Sequence, residues 1–105
     1  MASEQGVFIP DWMSLGLRVL MPDIRPREVI LYATIYGFTF SDSGAYKGGY
    51  SFLRQRLFGA SKETVAKSLQ RLCESCLIEK TEGGYKVDYF LSEEIKKTGK
   101  KKLST

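Results

Sequence analysis

GGYSFLRQRLFGASKETVAKSLQRLCESCLI, residues 48–78, is the stretch that decides the fold. It predicts a helix, a tight turn, a second helix with a polar and basic outer face, and a sharp stop into a strand. That order builds a helix-turn-helix, a scaffold that presents a helix to the DNA major groove. In the turn Phe58-Gly59-Ala60-Ser61, Gly59 supplies the positive φ that short helix connections need. Ser61 then stands as N-cap, its hydroxyl placed to accept from the amide of Glu63 or Thr64. Thr64 occupies the place where a full capping box carries Glu or Gln, and Glu63 suits the positive helix end.

Beyond Ser61, apolar residues fall at Val65, Leu69, Leu72 and Cys76. Steps of four, three and four make one stripe on a 3.6-residue helix. The other face carries Lys62, Lys67, Ser68, Gln70, Arg71 and Glu74. In the preceding helix Tyr50, Leu53, Leu57 and Phe58 form the apolar side, with Arg54, Gln55 and Arg56 outward. Two such stripes need a third element to bury them. It lies upstream: Pro26 suits a first helical position, and the helix predicted from there to a stop at Gly37 is apolar almost all round. One side takes the helix-turn-helix; the other needs the N-terminal segment or a second subunit.

Downstream, residues 77–80 and 85–90 are strand-like runs joined by Thr81-Glu82-Gly83-Gly84, a compact hairpin connection. Three helices and a C-terminal β-hairpin give the predicted fold class: α+β, a winged helix-turn-helix. The run Ala45-Tyr46-Lys47 is a candidate third strand. Upstream, Val7-Phe8-Ile9 ends at Pro10. The alternation Met13, Leu15, Leu17, Val19, Met21 suggests a strand, although Gly16 and the apolar density also fit a helix. Residues 1–6 are expected to be loose. The predicted domain spans 1–92, with a basic, flexible tail over 93–105 that follows phosphates or simply solubilises the end.

At 105 residues and 43% hydrophobic content the chain suits one globular domain. No apolar run nears the roughly 18 residues of a membrane span, and no secretory signal is evident, so a cytoplasmic protein is expected. The net charge is +4, unevenly spread. Residues 1–46 hold three Lys/Arg and five Asp/Glu; 47–86 hold eight and four; 87–105 hold five and three. Positive charge therefore gathers on the helix-turn-helix, the wing and the tail. Any helix of a globular domain has a charged outer face; it is the coincidence with the winged-helix pattern that gives the charge meaning.

Cys73 and Cys76 form a C-x-x-C, but the chain has no histidine and no other cysteine. A closed zinc site lacks ligands, and the pair lies at a helix end, where the dipole raises a thiol pKa. Core packing is the expected use. No metal or cofactor is expected, and no enzyme: there is no nucleophile motif or phosphate-cradling loop.

The blocks Ile9-Pro10-Asp11-Trp12-Met13, LYATIYGF (31–38), GGYSFL (48–53), and Thr64-Val65 with Leu69, Leu72 and LIEK (77–80) resemble a winged-helix group. That group comprises helix-turn-helix domains of bacterial plasmids, phages and integrative elements. It is similar in outline to the N-terminal domain of replication initiators, and the resemblance covers residues 8–90. It implies a DNA-binding role in transcription regulation or replication initiation of a mobile element. Two departures stand out. Residues 17–24 are extra length. Cys76 stands where the group has glycine, so it is either a fourth core position or a C-cap residue in a left-handed conformation.

On this reading the helix from Ser61 enters the major groove of double-stranded DNA. Ser61, Lys62, Thr64, Lys67 and Ser68 are candidates for base edges or phosphates, and Arg71 for backbone. Lys80, Thr81 and Lys86 on the wing face the flanking minor groove or backbone, and amides at the start of the Tyr50 helix hold a phosphate. A homodimer is expected, since symmetric operators favour one. The alternative is a winged-helix interaction or dimerisation module without DNA binding, because fold does not fix function.

Overall fold

The computed structural model describes residues 9–104. The expectations for residues 1–6, for Val7 and Phe8, and for Thr105 lie outside them. The described chain is α+β. Its helices are α1 Asp11–Leu20, α2 Pro26–Thr39, α3 Tyr50–Arg56 and α4 Lys62–Glu74; strands β1 Ile78–Thr81 and β2 Gly84–Val87 follow, then α5 Tyr89–Ser104. The strands pair antiparallel, Ile78 with Val87 and Thr81 with Gly84, across a two-residue turn in which Gly83 has φ +84°. A two-stranded hairpin after these helices is compatible with a winged helix.

The core is one cluster. Leu53 and Leu57 from α3, Val65, Leu69 and Leu72 from α4, and Ile78 and Val87 from the hairpin pack with Leu31, Tyr32 and Ile35 of α2. The stripe predicted on α4 is thus buried at three of its four positions. Cys76 is the exception: it is exposed, with φ +63°. The Leu77 N–H donates to the Leu72 carbonyl at 3.1 Å and the Cys76 N–H to the Cys73 carbonyl at 2.9 Å. This is a Schellman stop, with a cysteine where glycine is usual.

The end of α3 repeats the device. Gly59 N–H donates to Arg54 O at 2.8 Å and Phe58 N–H to Gln55 O at 3.1 Å. Gly59 has the expected positive φ, +84°, but the C′ position belongs to Phe58, with φ +60°. Phe58 is not part of the apolar side of α3; it is 92% exposed.

Four further expectations are corrected. Residues 11–20 form a helix because the buried set is Met13, Gly16 and Leu17, a helical spacing, whereas Val19 of the alternation is exposed. Gly37 does not stop α2, which continues to Thr39; the Thr39 hydroxyl then accepts the Val87 N–H at 3.1 Å and ties α2 to the hairpin. Tyr89 and Phe90 leave the strand, because Asp88 caps a helix by accepting the Leu91 N–H at 2.9 Å. Residues 93–104 form most of that helix rather than a loose tail.

Helix α5 lies antiparallel on α1, with Gly99 against the Trp12 backbone and Gly16 against the Ile95 backbone. Each glycine admits the other helix to a distance no Cβ would allow. Ser92, Ile95 and Gly99 form the buried stripe, and the lysines occupy the other faces. Helix α1 in turn packs on α2, with Trp12 edge-on to Tyr36 at 5.9 Å. The candidate third strand is present as one bridge: Tyr46 and Tyr85 exchange backbone bonds of 2.7 and 2.9 Å. Gly84 permits it, since a Cβ there would fall 1.8 Å from the Tyr46 carbonyl oxygen.

Candidate nucleic-acid interface

Ser61 is the N-cap of α4: its Oγ accepts the Thr64 N–H at 3.1 Å and donates to Thr64 Oγ1 at 3.0 Å. The capping serine is therefore committed to the helix end. Lys62 and Lys67 are exposed on α4, together with Glu63, Gln70 and Glu74. The outermost face is mixed in charge, because Gln70 donates to Glu74 at 3.1 Å beside Lys67. Gln70 was absent from the candidates; an exposed amide on a groove-entering helix is a signal for adenine recognition.

Ser68 is buried, at 2% exposure, so it cannot reach a base. At 3.6 residues per turn it falls on the flank next to Leu72 and Val65, and the short polar side chain disguised a core position. Arg71 is half-buried and ion-paired. Its Nε donates to Glu28 Oε2 at 2.6 Å, and its Nη2 to Glu28 Oε1 at 3.3 Å and to Asp23 Oδ2 at 3.2 Å and O at 2.9 Å. Glu28 is fully buried and also accepts the Arg25 N–H at 2.8 Å. One carboxylate thus caps α2 and anchors α4. The hydrogen bond to Glu28, followed by the charges of Glu28 and Asp23, raises the Arg71 pKa above its ordinary value. Sequence separations of 43 and 48 residues hid this pin.

The β1–β2 hairpin meets α4 around Tyr50. The Lys62 Nζ lies 5.6 Å over the Tyr50 ring. Tyr50 neighbours Tyr85 of β2, and Tyr46, Tyr50, Lys80, Thr81 and Tyr85 line one cleft of about 360 Å³. Lys62 and Lys80 therefore share a surface. Burial, with the neighbouring Tyr50 hydroxyl, pushes the Tyr85 pKa up to about 12. Strand alternation puts Lys86 on the opposite face from Lys80; it pairs across the ladder with Glu79, Nζ to Oε2 3.9 Å. Thr81 Oγ1 is buried, without a hydrogen-bond partner among the described residues. Of the three wing candidates, Lys80 alone is exposed beside α4. The α3 helix is seven residues long and begins at an exposed Gly49 cap with no side-chain bond.

The other flank of α4 faces α2 across a groove of about 500 Å³, to which Thr64, Lys67, Gln70 and Arg71 contribute. Burial raises the Cys73 thiol pKa, while Cys76 is exposed. Among the described residues no group of three or more His, Cys, Asp or Glu converges as a ligand set. No described helix is long and apolar enough to cross a membrane. Comparison of the chain with protein-family models, with curated proteins and with solved structures finds no match.

Proposed function

We propose that this chain is a winged-helix domain that binds double-stranded DNA, with the N-terminal half of α4 in the major groove. The observation that carries the reading is the surface shared by Lys62 and Lys80 around Tyr50, continued on α4 by exposed Lys67. Lys62, Lys67 and Lys80 contact phosphate or base edges. Thr64 and Gln70 supply the polar groups for sequence preference, and Arg71 pins α4 to α2 through Glu28. The role is regulatory, in transcription or replication initiation of a mobile element, in the cytoplasm and as a homodimer; the domain carries out no catalysis and needs no cofactor.

The test is an electrophoretic shift with pooled genomic DNA over a salt series. Binding that weakens with salt, and is reduced in Lys62→Ala/Lys67→Ala, is expected. No binding at low salt refutes the reading. It would favour an interaction module, for which one observation speaks: Phe40, Tyr89 and Phe90 are exposed and contiguous, with ring centroids 6.3 and 5.5 Å apart. Exposed aromatic clusters of this kind mark contact surfaces.

A further inference from the structure

We propose that the groove between the start of α2 and α4 is a second seat for the phosphodiester backbone of the same duplex, with Arg25 and Arg27 as its anion ligands. The proposal rests on the reading that α4 enters DNA, and adds two residues that no motif in the sequence marks.

The groove is open, of about 500 Å³, and lined by Arg25 and Arg27 on one wall and by Thr64, Lys67, Gln70 and Arg71 on the other. Of its acids, Glu28 and Asp23 pair with Arg71, and Glu74 keeps its charge. The Glu28 carboxylate is fully buried and takes both Arg71 and the Arg25 N–H; Asp23 is held by the Arg71 Nη2; Glu74 accepts from Gln70. The side chains of Arg25, Arg27 and Lys67 are exposed and form no ion pair among the described residues. Arg25, Arg27, Lys67 and Arg71 thus set four cations against the three carboxylates Glu28, Asp23 and Glu74.

The polar lining suits an anion. Thr64 Oγ1 accepts from Ser61 Oγ, so its own proton is left to donate into the groove. Arginine presents forked N–H donors that match a phosphate's paired oxygens. A backbone strand lying here runs beside the exposed face of α4, which is how phosphate contacts set the register of a groove-entering helix. Glu28 ties both walls, through the Arg25 N–H on α2 and Arg71 on α4.

The experiment is fluorescence anisotropy of a labelled duplex with the full chain over a salt series. It compares wild type, Arg25→Ala/Arg27→Ala, Arg25→Lys/Arg27→Lys and Lys62→Ala/Lys67→Ala. Each lost phosphate contact flattens the slope of log K against log salt by about 0.9, so the Arg-to-Ala pair should flatten it by about 1.8. Affinity should fall roughly 60-fold at about 0.1 M salt, with the ranking of duplex sequences unchanged. The Lys pair should keep most of the slope. Two outcomes overturn the seat while leaving the α4 reading intact. In one, the Ala pair keeps wild-type slope and affinity while Lys62→Ala/Lys67→Ala loses both. In the other, the Lys pair changes sequence preference, which would make the arginines base readers. Absence of salt-dependent binding in wild type overturns the seat and the α4 reading together. Thermal unfolding of each variant separates a binding loss from a folding loss.

Discussion

One substitution made at two glycines should move stability in opposite directions. Gly37 lies in the last turn of α2 and Gly99 inside α5, so alanine at either site gains about 0.5–1 kcal/mol of helix propensity. At Gly37 an added Cβ meets nothing within 4 Å, and the gain stands alone. At Gly99 the Cβ falls 1.8 Å from the Trp12 carbonyl oxygen and 2.6 Å from its carbon. Restoring ordinary contact requires α1 and α5 to part by about 1.6 Å at the crossing. Backbone on both sides leaves no rotamer to absorb the shift, and overpacking of this kind costs about 1–3 kcal/mol. Gly37→Ala should therefore raise Tm by about 2–8 °C, and Gly99→Ala, at a net cost of up to about 2.5 kcal/mol, should lower it by up to about 20 °C, at roughly 4–8 °C per kcal/mol for a domain near this size. Circular dichroism melts give the midpoints, and hydrogen exchange should show lost protection along α5 in Gly99→Ala alone. Equal stabilisation by the two variants would refute the docking of α5 on α1 and restore a loose tail.

Other expectations follow from the same contacts. Phe58→Gly and Cys76→Gly should each stabilise by about 0.5–1 kcal/mol, since relief of a left-handed side chain, about 1–2 kcal/mol, exceeds the extra unfolded-state entropy of glycine. Lower urea midpoints for both variants would contradict the two Schellman stops. Arg71→Ala should lower Tm more than Glu28→Gln, because it leaves a buried carboxylate without a cation, whereas the amide at 28 keeps an acceptor for the Arg25 N–H. The reverse order would place the burden elsewhere. The Tyr85 proton is held to about 12 in the folded state against 10 in the unfolded chain. Its contribution to stability is full below pH 10 and lost as pH rises through 12. Tyr85→Phe should blunt the decline in stability over that window in pH-dependent unfolding.

Helices and hairpin were legible where local rules act alone. The 3.6-residue stripe of α4, the Ser61 cap and the Gly83 turn needed only neighbours in sequence. The C-terminal helix was not legible, because its burial is by glycine: Gly99 reads as a helix breaker in a lysine run until the Trp12 backbone is beside it. Asp88 was hidden for a related reason, since one residue both ends a strand and caps a helix. At the candidate site the exposed lysines were found by composition. The structural partners of Arg71 were not legible, because a cation looks alike whether its partner is a phosphate or a glutamate 43 residues away. Ser68 shows the limit of polarity as a guide to exposure: its place on the helical wheel, next to Leu72, outweighs its hydroxyl.

The central claim is that α4 and the wing's Lys80 form a DNA surface. Amide chemical-shift mapping of the chain titrated with duplex DNA tests it most directly. Shifts are expected at residues 61–67, at Gln70, around Tyr50, at Lys80 and at Arg25 and Arg27, with α1 and α5 silent. Shifts confined to Phe40, Tyr89 and Phe90, or none at all, would contradict it.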